Sequence, residues 1–324
     1  MPNYNGVWSL STHYQNRTGW PLAPLPAGTG LFIGGSDQTA IDYVNIATTG
    51  NASDFGDLSF STEAGAGCSS ATRAFYFAGQ KNNSYTTDIA FVTYVIGSVT
   101  TDFGDQTHEN SYAAYPAGLS NSTRGVVAGG SGSASPYYLN TIQYITMASA
   151  GNSTDFGDLT VARSRLAAFA STTRGVFAPG RGASGDVNTL DYITISSTGN
   201  ATDFGDDTAT RQAVTAAASS TRGVIAGGNV SGTASNVISY VTTASTGNAT
   251  DFGDLSVARD FFSGCSSSIR AVFAGGTTAD PSYTALNTMD YITIGTTGNA
   301  LDFGDLTSAR KGLTAGSNAH GGLA

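Results

Sequence analysis

Residues 222–259 read RGVIAGGNVSGTASNVISYVTTASTGNATDFGDLSVAR, and variants of this stretch recur along the 324-residue chain. The tetrapeptide Asp-Phe-Gly-Asp occurs six times, starting at Asp54, Asp102, Asp155, Asp203, Asp251 and Asp302, with spacings of 48, 53, 48, 48 and 51. A sustained period of this length is the signature of a repeat architecture. Five copies carry a Tyr 11 residues ahead of the motif (Tyr43, Tyr144, Tyr192, Tyr240, Tyr291), and the second copy carries Tyr94 at 8. Ahead of each Tyr an apolar run ends in a small pair, as in GLFIGG at 30–35, RGVVAGG at 124–130 and RAVFAGG at 270–276. Behind the motif, Arg163, Arg211, Arg259 and Arg310 share one offset, where the first two copies have Thr62 and Asn110.

Each unit divides into four extended pieces: a (small and apolar, after the Arg), b (ending in the small pair), c (DYITI-like) and d (around DFGD). Piece c alternates apolar and polar residues, the period of a half-buried strand. The Gly-Asn of STGNATD suits the positive φ angles of a tight turn between c and d. Leucine-rich and hexapeptide solenoids have shorter periods, and helical repeats need helix formers. The sequence therefore predicts an all-β, six-bladed β-propeller with four-stranded blades over 29–324. The chain enters the first blade at piece b, and its end, SARKGLTAGSNAHGG, reads as piece a. The C-terminal strand is thus expected to pair with the N-terminal strand and close the ring, which removes open edges.

Composition agrees. Charged residues are only 11% and Gly is 42 of 324, while Lys occurs only at Lys81 and Lys311 and Glu only at Glu63 and Glu109. Residues that normally coat helices are scarce, which argues against bundles and ordinary α/β enzymes. A net charge of -9 without a basic cluster speaks against nucleic-acid binding. No apolar run approaches the roughly 18 residues that span a bilayer, so membrane insertion is not expected. The start, MPNYNGVWSLSTHYQ, lacks a basic segment followed by an apolar one, so no secretory signal is expected. Cys68 and Cys265 fall at equivalent places on inner strands two blades apart. Bridged Cα atoms must lie within about 7 Å, so these two are expected as unpaired packing residues near the channel.

The order Gly227-Gly228, Tyr240, Phe252, Arg259 resembles the kelch repeat of galactose-oxidase-type propellers, with Phe in place of the usual outer-strand Trp in all six copies. The resemblance covers about residues 29–320 and implies the fold rather than an activity. Neither the His, Tyr and Cys ligand set of copper propellers nor the Ser-x-Asp boxes of sialidase propellers is recognisable. GVWSL near the start, Trp20-Pro21, and repeats carrying ITIxSTGNATDFGDLT are similar to virion-associated proteins of tailed, especially marine, bacteriophages.

Asp-Phe-Gly-Asp also invites chemical readings. A kinase magnesium motif occurs once and needs a Gly-rich loop, a strand Lys and a catalytic loop, so six copies exclude it. Calcium needs six to eight converging oxygens, which two Asp three residues apart do not supply. The structural reading makes Phe55, Phe103, Phe156, Phe204, Phe252 and Phe303 core residues between blades. It makes the Gly a tight or bulged position and the Asp acceptors for turn amides. Arg73, Arg124, Arg174, Arg222 and Arg270 recur at the a–b turn, on the face of the c–d turns, and are expected to meet the motif Asp residues; an anion-binding ring is the alternative. His13, His108 and His320 have no partner at ligand spacing, so no metal or cofactor is expected, and no catalytic residue stands out. The sequons at Asn51, Asn152, Asn200 and Asn248 read as turn chemistry.

The informative variation lies in the b–c loops, which carry Tyr85, Pro136-Tyr137-Tyr138, Arg181 and Pro281-Ser282-Tyr283. Insertions confined to one face are where repeat scaffolds place binding surfaces, and Tyr among Ser, Gly and Asn is adaptable contact chemistry; the alternative is Tyr tucked against a blade. Residues 1–28 form an arm outside the repeat, with Trp8 and Trp20 as its anchors, packed on its own propeller or docked to a neighbour. These features lead to an expected non-enzymatic structural protein of a tailed-phage virion, tail-associated at fibre, tip or baseplate. The arm would meet other virion proteins, the loop face a host-surface glycan or protein, and many copies would act together. A capsid decoration protein, a lectin, and an enzyme at the channel mouth are the alternatives.

Overall fold

The computed structural model describes residues 23–77, 79–107, 114–133, 135, 137–278 and 283–323. They build six antiparallel four-stranded blades, and among the described residues there is no helix. In blade 5 the strands run Thr215–Ala218 (a), Arg222–Ala226 (b), Val237–Thr242 (c) and Thr250–Asp254 (d), adjacent in that order. Each strand a lies beside strand a of both neighbouring blades, so six inner strands ring a central channel. This is a six-bladed β-propeller, an arrangement compatible with a kelch-like repeat.

Closure takes the form the sequence predicts. Strand a of blade 1 is Thr314–Ser317, and it pairs antiparallel with strand b, Thr29–Ile33, in the register Gly30↔Ser317 to Ile33↔Thr314. Asn318 locks the seam: its Oδ1 accepts from the N–H groups of Gly28 and Thr29 at 2.9 Å, and its Nδ2 donates to Pro26 O at 2.9 Å.

The core is divided among the joints between blades. Each apolar cluster joins strands of two successive blades; Val224, Ile238 and Phe252 of blade 5 pack with Phe273, Ile292 and Ile294 of blade 6, and Phe32 and Val44 of blade 1 pack with Val272 and Phe303 of blade 6. The six motif Phe rings are all buried. In five blades the ring stands edge-on to the preceding Tyr, with centroids 5.9 to 6.4 Å apart. In blade 2 the partner is Phe91, at 6.1 Å, so Phe91 and not Tyr94 fills the Tyr position there. Tyr94 is instead a buried side chain at the end of that strand, and its backbone carbonyl accepts from Leu25 N at 2.7 Å.

The motif Gly has a specific cause. Register slips by one residue at this point in every blade, as between Ile238↔Gly253 and Ser239↔Asp251, and the bulge leaves Phe252 unpaired in the ladder. Gly253 has φ +143°, and a Cβ there would lie 2.5 Å from Gly298 O of the next blade. That close approach exists because the c–d turn of one blade docks on strand d of the blade before it. Gly298 N donates to Phe252 O at 2.8 Å, and Asn299 Oδ1 accepts from Asp254 N at 3.1 Å. The same staple joins Asn51 to Asp305, Asn152 to Asp105, Asn200 to Asp158 and Asn248 to Asp206. Two expectations are corrected here. The turn Asn residues adopt no positive φ, and they, more than the motif Asp side chains, accept the amide hydrogen bonds.

The Arg ahead of each inner strand is also an inter-blade element. Arg163, Arg259 and Arg310 are buried and pair with Asp191, Asp290 and Asp42 on strand c of the next blade, at 2.7, 2.9 and 2.9 Å. Arg211 meets Ser239 at that place and takes its carboxylate from Asp207 instead, at 2.7 Å. Where the Arg is replaced by Thr62, strand c of the next blade carries Ala90 at the place of the paired Asp. A lone buried charge is costly, and each of these joints holds both partners or neither. The a–b turn Arg residues do something different from the expectation. Arg73, Arg124, Arg174, Arg222 and Arg270 donate to backbone carbonyls of the next blade (Met147, Ile195, Thr243, Ile294, Ile46) at 2.8 to 3.1 Å. Their guanidinium groups stack on Phe91, Tyr144, Tyr192, Tyr240 and Tyr291 at 4.2 to 4.6 Å, and none pairs with a motif Asp.

Candidate functional site

The two ends of the channel are built differently. At the a–b turn end, residues 319–323 cross the opening. His320 Nε2 donates to Ser69 O at 2.9 Å in blade 2, and Gly321 N donates to Ala218 O at 3.1 Å in blade 5, on the opposite side. Nδ1 of His320 accepts from Gly322 N at 3.1 Å, which fixes the Nε2–H tautomer. Burial lowers the pKa of this imidazole. Between the two ends, cavities of about 120 and 80 Å³ lie along the axis. Cys68 and Cys265 line the second of these, unpaired and buried, and burial raises the Cys265 thiol to about 12.

The other end is the face of the b–c loops, where strand d connects to the next strand a. One residue per blade adopts positive φ there: Ala64, Tyr115, Arg165, Ala213, Phe261 and Gly312, at +52° to +63°. Their backbones form a closed hoop. Tyr115 N donates to Ala64 O, Arg165 to Tyr115, Ala213 to Arg165, Phe261 to Ala213, Gly312 to Phe261 and Ala64 to Gly312, at 2.7 to 3.2 Å. Left-handed backbone is costly for residues with a Cβ, and the hydrogen bonds around the hoop offset that cost. Three of these residues converge over the opening. The Arg165 guanidinium sits 5.4 Å from the Tyr115 ring and 5.3 Å from the Phe261 ring, and the rings are 5.5 Å apart. Nη1 of Arg165 donates to Gln212 Oε1 at 2.9 Å.

Beside this cluster a groove of about 320 Å³ is lined by Arg165, Arg181, Asp186, Gln212, Asn229, Ser231, Gly232, Asp260, Phe261 and Tyr283. Equivalent β-bridges in three successive blades hold its polar residues: Ser164↔Arg181, Gln212↔Asn229 and Asp260↔Thr277. Asp260 is 2% exposed; its Oδ2 accepts from Asn229 Nδ2 at 3.1 Å, while Oδ1 has no partner among the described residues. Burial raises the Asp260 carboxyl pKa, opposed by the Asn229 hydrogen bond and more weakly by Arg165 and Lys311. Arg181 pairs with Asp186 at 3.0 Å, and Tyr138 and Asp186 together stabilise its charge.

Of the residues singled out in the sequence, Arg181 and Tyr283 meet in this groove, and Tyr138 neighbours Arg181. Tyr85 lies on a short hairpin, Gln80–Lys81 with Ser84–Tyr85, added to the edge of blade 1. Tyr85, Tyr137 and Tyr283 are exposed at 41%, 64% and 59%, so they are not tucked against a blade. Trp8, Trp20, His13, His108, Asn110, Pro136, Pro281 and Ser282 lie outside the described residues. Sequence reasoning missed Tyr115, Arg165, Phe261 and Asp260. The available signal was the pair of positions after the recurrent Arg, where Ser164-Arg165, Gln212-Ala213, Asp260-Phe261 and Lys311-Gly312 all differ although the Arg itself recurs.

Among the described residues no three of His, Cys, Asp and Glu gather as metal ligands. No protein-family model and no curated protein matches the sequence. The fold is a six-bladed propeller of sequence repeats, with b–c loops of unequal length at one mouth of its channel.

Proposed function

We propose that this kelch-like propeller is a non-enzymatic structural protein of a tailed-phage virion, carried at the tail and displayed in many copies. The observation that carries the reading is the asymmetry of the two faces. One face is closed by repeated turns, staples and the chain's own tail. The other presents exposed Tyr85, Tyr137 and Tyr283 with Arg181 on loops of unequal length, and Arg181 and Tyr283 line a groove there. Rigid amphipathic Tyr side chains on a fixed scaffold are contact chemistry for a partner surface. Repetition of a weak contact across copies supplies avidity without one tight site. In this reading residues 1–28 attach the propeller to other virion proteins, through Trp8 and Trp20.

The test is incorporation. The full chain is expected to co-sediment with purified particles, and immunogold label is expected at the tail rather than the capsid. Removal of residues 1–22, which takes Trp8 and Trp20 but spares the Pro26 and Gly28 contacts to Asn318, is expected to abolish incorporation while leaving the melting transition of the propeller in place. Particles that lack the protein would overturn the reading, and label confined to the head would turn it into a capsid decoration protein.

A further inference from the structure

We infer that the groove between the b–c loops of blades 4, 5 and 6 is a binding site for a neutral saccharide, with Asp260 as its central hydrogen-bond acceptor and Phe261 and Tyr283 as its stacking surfaces. This deepens the proposed reading, and rests on it only for the claim that the loop face meets a host surface. A volume of about 320 Å³ falls at the small end of the range for small-molecule sites.

The polar groups are of the kind that hydroxyl pairs need. A sugar presents adjacent hydroxyls that both donate and accept, and an apolar C–H face. Asp260 Oδ1 is a buried acceptor without a donor among the described residues, a costly state that a ligand hydroxyl would relieve. Gln212 and Asn229 add amides to the same groove, Asn229 bonded to the other Asp260 oxygen, and the Gln212↔Asn229 and Asp260↔Thr277 bridges hold them. Such prior fixing lowers the ordering cost of binding. Phe261 and the exposed ring of Tyr283 border the same space as flat apolar surfaces.

Charge selects a neutral ligand. Both cations of the groove are engaged, Arg165 with Gln212 and two rings, and Arg181 with Asp186. With two Arg and two Asp lining it, the groove has no net positive charge to draw a carboxylate or sulfate ester, and the unpaired Asp260 would oppose one.

The experiment is calorimetric titration of the isolated full chain with methyl hexopyranosides and their short oligomers, with glucuronic acid as the anionic probe. Saturable binding of at least one neutral glycoside is expected, weakened about tenfold or more by Asp260→Asn. Tyr283→Ala, at an exposed site, is expected to weaken it several-fold without a change in melting temperature. Ile269→Ser, on the opposite face, is expected to leave it unchanged. Absence of binding across the neutral set, affinity unaltered in both groove variants, or preference for glucuronic acid would each overturn the inference. Because this titration uses the chain away from any particle, its failure leaves incorporation into virions standing. Binding without incorporation would sink only the virion reading.

Discussion

Arg310 Nη2 lies 2.9 Å from Asp42 Oδ2, and this buried ion pair spans the seam where the end of the chain meets its beginning. The same guanidinium donates to Ala40 O and Phe32 O, so one side chain ties the last motif to strands b and c of the first blade. Removing one member leaves a buried charge with no counter-charge. Asp42→Ala is expected to destabilise the protein by about 3–5 kcal/mol. The pair Arg310→Thr with Asp42→Ala copies the natural Thr62 and Ala90 joint, and is expected to cost less than the single change. Urea denaturation of the three proteins measures this; a double variant weaker than the single one by the full second increment would contradict the coupling.

Phe252 and Gly253 give a second comparison. Phe252→Ala empties a buried ring site between blades 5 and 6 and is expected to cost about 3–5 kcal/mol. Gly253→Ala adds a single methyl, yet it would drive a Cβ to 2.5 Å from Gly298 O and undo the docked turn. It is expected to lower the melting temperature clearly, whereas Gly232→Ala, whose Cβ meets nothing within 4 Å and which carries only the backbone strain of its φ +92°, is expected to do less. Equal melting temperatures for the Gly253 and Gly232 variants would refute the turn-docking account.

Deleting residues 306–324 removes Leu306, Arg310, Leu313 and the closing strand Thr314–Ser317. Blade 1 then exposes the edge of Thr29–Ile33, and cooperative folding is expected to be lost, because total stability is only about 5–15 kcal/mol. Deleting 319–324 alone spares the strand pairing and is expected to leave a cooperative, lower transition. A sharp, unshifted melt of the longer deletion would argue against closure as the source of stability.

His320 makes the tail crossing pH-sensitive. Burial lowers its pKa in the folded protein, whereas in the unfolded chain an imidazole titrates near about 6.5. Well above that pH neither state takes the proton, and the hydrogen bonds to Ser69 and Gly322 contribute fully. As pH falls below it, the unfolded chain gains a proton that the folded chain does not, so stability declines until the folded pKa is reached. The drop in melting temperature between about pH 7.5 and pH 5 is expected to be smaller in His320→Gln than in the wild type. Identical drops would remove His320 as the cause.

Much of the fold could be read from the chain because the repeat is nearly exact: six copies of one motif set the blade count, and the frame of the first and last pieces set the seam. The readings that failed were those about which blade a residue serves. Asn299 looks like turn chemistry for its own hairpin, yet its Oδ1 serves Asp254 in the preceding blade. Arg259 and Asp290 are 31 residues apart and belong to different repeats, so no spacing rule links them. The site suffers most from this. Arg165, Phe261 and Asp260 come together only through the curvature of the ring, while Arg181 and Tyr283 were visible because loop insertions mark them directly.

The hoop at the channel mouth is made of main chain alone, with six amides handing donors round in one sense. Side chains can therefore be exchanged at these six places without loosening the frame that presents them; Gly, Ala, Arg, Tyr and Phe already occupy them in one molecule. Such a mouth separates what holds the protein together from what it displays, leaving selection free to rewrite the display blade by blade.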